Sequence, residues 1–231
     1  MDSMGAFASG KVLVGTIDDQ GMITWQQGTG ISEAVIHGTA AIIGSKLYLI
    51  GGAAQVAKNK VMVSRIGGDG LNGPWTTLTS AALPQPRSHH CSVVHNGQIF
   101  LFGGLDDNDN VLEEVLRSDF DENGDLVGWK VAGTLPDAPW TAAASLWGES
   151  VFIIGGGHGG AGSMGFVDRV RRARFYENNT LQDFADVDPL PTPRSHVHFA
   201  PIVDGRIYSV GGRLMPSLTS MNRVFIGNFQ P

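Results

Sequence analysis

An all-β propeller built from repeated four-stranded antiparallel sheets is predicted by three features of this chain. A diglycine recurs as Gly51-Gly52, Gly103-Gly104, Gly155-Gly156 and Gly211-Gly212, at intervals of 52, 52 and 56 residues. Each diglycine closes a two-strand apolar segment, and the first three are followed by a second segment with a polar turn and an aromatic residue. No stretch holds a helical apolar period, which excludes the helical repeat architectures.

The segments before the diglycines align as 37–50 (HGTAAIIGSKLYLI), 90–102 (HCSVVHNGQIFLF), 141–154 (TAAASLWGESVFII) and 197–210 (VHFAPIVDGRIYSV). Each is a pair of short apolar runs around a polar or glycine turn, the pattern of a β-hairpin, here strands a and b. Their nearly continuous apolar character predicts strands covered on both faces, hence an inner position.

Strands c and d follow. Val12, Val61, Val115, Val170 and Val224 share one register, each followed five residues later by Ile17, Ile66, Phe120, Phe175 or Phe229. The turns DDQG, GGDG, DENG and YENN then lead to Trp25, Trp75, Trp129 and Phe184. An aromatic on d is placed to pack between neighbouring blades.

Composition agrees with one compact domain over residues 1–231, with repeat units of about 11–52, 60–104, 114–156 and 169–212 and a partial unit at 222–231. The 32 glycines supply turn conformations, and only 16% of residues are charged. A net charge of -6 argues against general binding to nucleic acid or anionic membrane. There is neither a basic-apolar leader pattern nor an apolar span near 18 residues, so a soluble chain without signal peptide or transmembrane segment is expected. The single cysteine, Cys91, excludes an intrachain disulfide framework and reads as a buried, inert thiol.

The run Leu83-Pro84-Gln85-Pro86-Arg87-Ser88-His89-His90, followed by the apolar hairpin, Gly103-Gly104, Phe120-Asp121 and Trp129, resembles the kelch repeat. Leu190-Pro191-Thr192-Pro193-Arg194-Ser195-His196 opens a second good copy, and the likeness extends over residues 11–229. Two departures stand out: Ile or Phe replaces the usual tyrosine of the third strand, and Pro139-Trp140 stands where Pro-Arg is the rule. The resemblance implies a β-propeller, more often of five to eight blades in that family, whereas the repeat count here predicts four or five. It does not imply one activity, because this fold carries adaptors, lectin-like binders and a few enzymes.

The strand count does not close simply. The sequence opens on a c strand, runs through four c-d-a-b units and begins another c at Val224. If the N-terminal c–d pair joins the C-terminal a–b pair, four blades close and 224–229 is left over. An irregular five-bladed ring, a piece of a larger propeller, and a last strand added to another chain are the alternatives. Closure within one chain is the expected arrangement.

Alternating strand direction brings the d–a and b–c loops to one face, the expected binding surface. It carries the candidate ligand-binding residues His37, Arg87, Ser88, His89, Trp140, Arg194, Ser195 and His196. Arginine grips carboxylates bidentately and, with tryptophan, dominates binding hot spots. In kelch adaptors the matching arginine and serine positions contact acidic peptides, so the resemblance gives Arg87 and Arg194 that role. The competing reading has these arginines satisfy loop carbonyls.

Other motifs are weaker. Leu105–Asn110 (LDDNDN) offers calcium-type oxygens but no bidentate glutamate, and reads as a solvated turn. Asp119–Asp125 begins like an EF-hand loop, yet Lys130 stands at the twelfth position. The glycine-rich 155–165 lacks the Gly-Lys-Ser/Thr ending of a phosphate loop and reads as a mobile surface loop. Arg169, Arg171, Arg172 and Arg174 read as a solvated blade surface. His89, His90, Cys91, His196 and His198 invite a metal, but neighbours on a strand face opposite ways. The resemblance also brings in galactose-oxidase-like copper proteins and sialic acid mutarotases; the tyrosine pair of the first and the acid of the second are not identified. The reading is thus a non-catalytic recognition module for a protein or glycan, with no metal or cofactor. The alternatives are a structural protomer of an extracellular fibre or virion appendage, forming a homo-oligomer through its terminal strand, and a carbohydrate-active enzyme of the mutarotase type.

Overall fold

The structure, a computed structural model, describes residues 9–160, 165–215 and 219–228. Every regular element in them is a strand. In chain order, β1 (Leu13–Ile17) and β2 (Ile23–Gln27) form a two-stranded sheet. The first full blade is β3 (Thr39–Ile43), β4 (Lys46–Ile50), β5 (Val61–Ile66) and β6 (Asn72–Thr77). The second is β7 (Cys91–His95), β8 (Gln98–Phe102), β9 (Glu114–Phe120) and β10 (Leu126–Thr134). In the third, β11 (Ala143–Trp147) and β12 (Ser150–Ile154) are separated from the later pair by a ribbon of β13 (Gly157–His158) and β14 (Gly165–Phe166). That later pair is β15 (Val170–Arg174) and β16 (Ala185–Val187). The fourth blade comprises β17 (Ile202–Val203), β18 (Arg206–Val210) and, beyond the ribbon of β19 (Arg213–Leu214) and β20 (Thr219–Ser220), β21 (Val224–Asn228).

All pairings are antiparallel in the order a, b, c, d, and β3, β7, β11 and β17 lie side by side as the innermost strands. This is a four-blade propeller arrangement flanked by the β1–β2 hairpin. The expected closure, with β1–β2 completing the last a–b pair, does not form: β21 takes the c position itself, pairing from Arg206↔Asn228 to Val210↔Val224. Strand 224–228 is therefore not left over. Contiguity explains the choice, because a short connection reaches the β18 edge at smaller entropic cost than a strand two hundred residues away in sequence. Phe229, the aromatic expected to end this strand, lies outside the described residues.

The core sits between blades. One cluster joins the first and second blades around Tyr48, Ile50, Leu101 and Leu116, and another joins the second and third around Phe100, Phe102, Ile153 and Phe175. The d-strand aromatics fill the seams as expected: the Trp129 indole donates to the Ala81 carbonyl at 3.0 Å, and that of Trp75 to Thr29 at 2.8 Å. Among the described residues no blade precedes Trp25, which is 63% exposed.

The diglycine repeat has a mechanical cause. Gly103 and Gly104 hold φ of +62° and +95°, and the Gly104 amide donates to the Pro139 carbonyl of the next unit at 3.1 Å. A Cβ on Gly103 would collide with that carbonyl, and one on Gly104 with the Ser88 carbonyl. Gly52 and Gly156 make the same bond to Arg87 and Arg194, so the diglycine latches blade to blade. Gly104→Ala is expected to cost at least about 2 kcal/mol, read as a lowered urea midpoint, from left-handed strain and the collision together.

Candidate functional site

The latch register defines four equivalent positions. Ile36, Ser88, Trp140 and Ser195 each pair with the residue after a diglycine: Ala53, Leu105, Gly157 and Arg213. Trp140 thus stands where the second and fourth copies have serine and the first has Ile36, and Pro139 takes the place of Arg87 and Arg194; the Pro-Arg comparison at the third copy is shifted by one.

The next residue in each copy, His37, His89, Thr141 or His196, is left-handed, with φ of 57°, 57°, 50° and 57°. This conformation lets the His89 amide donate to His37 at 2.8 Å, Thr141 to His89 at 2.7 Å and His196 to Thr141 at 3.1 Å. A backbone rail crosses all four units and aims three imidazoles at one another. The His37 and His89 rings stack at 3.8 Å, and Trp140 stands edge-on to His89 at 6.1 Å and to His196 at 6.2 Å. Phe166 and His198 close the group, each 6.1 Å from His196. Ser88 and Ser195 fix the ring orientation through hydrogen bonds to Nδ1 of His89 and His196, at 2.9 and 2.6 Å.

Burial makes these imidazoles neutral. His89 is pushed down to about 3 by desolvation and by the neighbouring histidines, and His196 to about 4 by desolvation and by Arg213. His37 is lowered by burial first, then by His198 and by Arg213, and His198 by burial and by Arg213. Behind the face, buried His90 is pushed down to about 3 and bonds Thr39 at 3.1 Å.

The two arginines expected on the open face lie in its wall. Arg87 is 0% exposed and donates through Nη1 to Gly103 at 2.9 Å and Glu114 at 3.2 Å. Arg194 is 0% exposed, donates to Gly211 at 2.8 Å and stacks on Phe225 at 3.9 Å. Each therefore satisfies carbonyls of a diglycine strap. Ser88, Ser195 and Trp140 are buried as well, the last donating its indole N–H to Gly159 at 3.1 Å. The partly exposed groups are the imidazoles of His37, His89 and His196, with Phe166, and His198 is exposed.

An exposed cation that the sequence reading passed over borders this group: Arg213, directly after Gly211-Gly212, close enough to depress three of the histidines. Its signal was present, since the residue after each diglycine is held on this face by the Ser195-type bridge, but Ala53, Leu105 and Gly157 hid it.

The remaining motifs are structural. Asp106 accepts the amides of Asn108 and Asn110, both at 2.8 Å, in a tight turn. Asp121 does the same in the β9–β10 turn. The glycine-rich segment, expected to be a loose loop, is a β13–β14 ribbon where described, and its residues 161–164 lie outside the described residues. Arg171 pairs with Asp186 at 3.1 Å and Arg169 with Asp137 at 2.6 Å on the blade surface. Cys91 is buried, with its thiol raised to about 12 by desolvation.

Residues 37–230 match the kelch-repeat domain described for KLHDC2, KLHL20 and DRC7. The chain belongs to the kelch-repeat family. Among relatives of this kelch chain, kelch repeat and BTB domain-containing protein 12 of Danio rerio is 28% identical over 188 residues, covering 73% of this chain and 28% of the relative. Kelch-like protein 33 of Homo sapiens is 32% identical over 126 residues, covering 54% and 22%. The chain spans less than a third of either relative's length. The structure of YjhT superposes with a TM-score of 0.68 at 20% identity, covering 83% of this chain and 63% of that one, and shares the fold. Kelch propellers of this type typically serve as protein-binding modules. Among the described residues no helix is long and apolar enough to cross a membrane.

Proposed function

We propose that this kelch propeller is a non-catalytic recognition module that binds an acidic protein segment across the His37–His89–His196 face. The observation that carries the reading is the convergence of neutral imidazoles from three units beside the exposed guanidinium of Arg213. Arg213 supplies the charge for a carboxylate, while the half-buried imidazoles supply flat, partly apolar surface and hydrogen-bonding nitrogens. Arg87 and Arg194 act at one remove, holding the straps that position the face. Trp140, buried and with its N–H committed, offers no open ring on which a sugar would stack, which favours a protein segment over a glycan.

A peptide array varied in acidic content, followed by fluorescence anisotropy, tests the reading. Acidic segments are expected to be selected, and Arg213→Ala to weaken them about tenfold, equivalent to about 1.4 kcal/mol, with a normal melting curve. Arg213→Lys should fall between the two, because an ammonium keeps the charge and loses the fork. Free sialic acid and galactose should not be turned over. Selection of neutral peptides, or indifference to Arg213→Ala, would overturn the assignment.

A further inference from the structure

Two hydrogen bonds behind the histidine face have a direction that their surroundings fix. Ser88 and Ser195 are 3% and 0% exposed in the wall of the face. Each hydroxyl meets Nδ1 of the histidine that follows it, at 2.9 Å for His89 and 2.6 Å for His196, and has no other partner among the described residues. A neutral imidazole holds one donor and one acceptor nitrogen, while a hydroxyl can act as both. If Nδ1–H donated to Oγ, the hydroxyl proton would sit in a buried wall with nothing to receive it, at the full desolvation cost of that group. If Oγ–H donates to Nδ1, no buried hydrogen is stranded and the ring proton stands on Nε2. Desolvation keeps both rings neutral and so leaves Nδ1 free to accept.

Nε2 is the nitrogen that opens to the face. In His89 and His196 it has no partner among the described residues and stays accessible to solvent, in contrast to the buried, unpaired Nδ1 of His90 and of His95. Each of the two rings therefore offers an N–H donor to whatever lies on the face. Exposed Arg213 adds donors only, because a guanidinium has no acceptor. The same polarity arises in the second and fourth units, which carry serine before the left-handed histidine. In the first unit Ile36 gives His37 no such hydroxyl.

We infer that Ser88 and Ser195 are positioning residues that lock His89 and His196 as Nε2–H donors, so that the face takes a glutamate or aspartate carboxylate and discriminates against the carboxamide of the same shape. The inference rests on the acidic-segment reading and adds the group that is read and the residues that set the reading. A carboxylate presents acceptor oxygens to every donor it meets. A carboxamide turns its NH2 toward one of them and leaves hydrogen facing hydrogen. Arg213 alone would favour negative charge; the locked imidazoles add a preference in hydrogen-bond polarity.

Histidine-selective nitrogen-15 labelling and long-range proton–nitrogen spectra of the unliganded chain at neutral pH read each ring directly. His89 and His196 are expected as single Nε2–H tautomers with a hydrogen-bonded Nδ1. Ser195→Ala should move the His196 Nδ1 resonance to its unbonded position, and Ser195→Thr, which keeps the hydroxyl, should hold it. A proton on Nδ1 of either ring would overturn the assignment while the acidic-segment reading stood on Arg213. Binding is measured by fluorescence anisotropy with labelled, end-capped tetraglutamate and tetraglutamine. The unmodified chain should prefer tetraglutamate by about tenfold, and the Ser88→Ala/Ser195→Ala double variant should cut that preference by about threefold with Arg213 in place. A preference untouched by the double variant would overturn the positioning role alone. No preference in the unmodified chain would overturn the acidic-segment reading together with it.

Discussion

Arg87→Ala is expected to cost about 3–5 kcal/mol and to lower the thermal midpoint more than any other change at the candidate site. The guanidinium is wholly buried and ties the Gly103 carbonyl to that of Glu114, so its loss leaves two inward carbonyls short of a donor and opens a void between strap and sheet. Burial pushes its pKa down to about 10, which still leaves it charged at neutral pH. Arg87→Lys should recover only part of the loss, because an ammonium is a point donor on a shorter reach and is more costly to desolvate. Exposed Arg213 sets the contrast: Arg213→Ala should change stability by no more than about 0.5 kcal/mol while weakening peptide binding. Equilibrium urea unfolding of the three variants beside the unmodified chain checks both halves. A stable Arg87→Ala variant that had merely lost binding would return Arg87 to direct ligand contact.

The blades were legible because period-two hairpins and the diglycine are local demands. Each hairpin needs its apolar run and turn, and each latch needs a backbone that no other residue adopts without collision. The seam aromatics were equally legible, since Trp75 and Trp129 have a single place to go once a sheet is covered on both faces. Closure was not, because the choice between β21 and β1 as partner of β18 depends on loop entropy and not on residue type. The face was half legible. His37, His89 and His196 were found at their places. Arg87 and Arg194, however, share the sequence neighbourhood of exposed loop arginines, and only the left-handed turn at the following histidine shows that they fold inward. Arg213 escaped because its place beside the histidines comes from the strand bridge to Ser195, a pairing between residues 18 positions apart that no local motif announces.

The second large effect is acid lability. His89, His90 and His196 are held near 3, 3 and 4 in the folded chain, against an ordinary value of 6.5. Unfolding releases them to bind protons below about pH 6.5, so between that value and about pH 3 the unfolded state carries more protons than the folded one. Stability then rises with pH across this window: the contribution is complete above about 6.5 and is lost as the pH falls through about 4 for His196 and about 3 for His89 and His90. Three such groups give a slope of about 2–4 kcal/mol per pH unit near pH 5, allowing for solvent screening of the two partly exposed rings. Asp106 and Asp125, both lowered from 3.8, act in the same sense at the acid end of this window. Urea midpoints at pH 7.5, 6.0 and 5.0 should therefore decline increasingly steeply, and His89→Gln should remove about one proton from the slope. A midpoint that holds constant from pH 7.5 to 5.0 would mean that the imidazoles open to solvent and charge without unfolding. The face would then be a loose surface and not the packed platform that binding through neutral histidines requires.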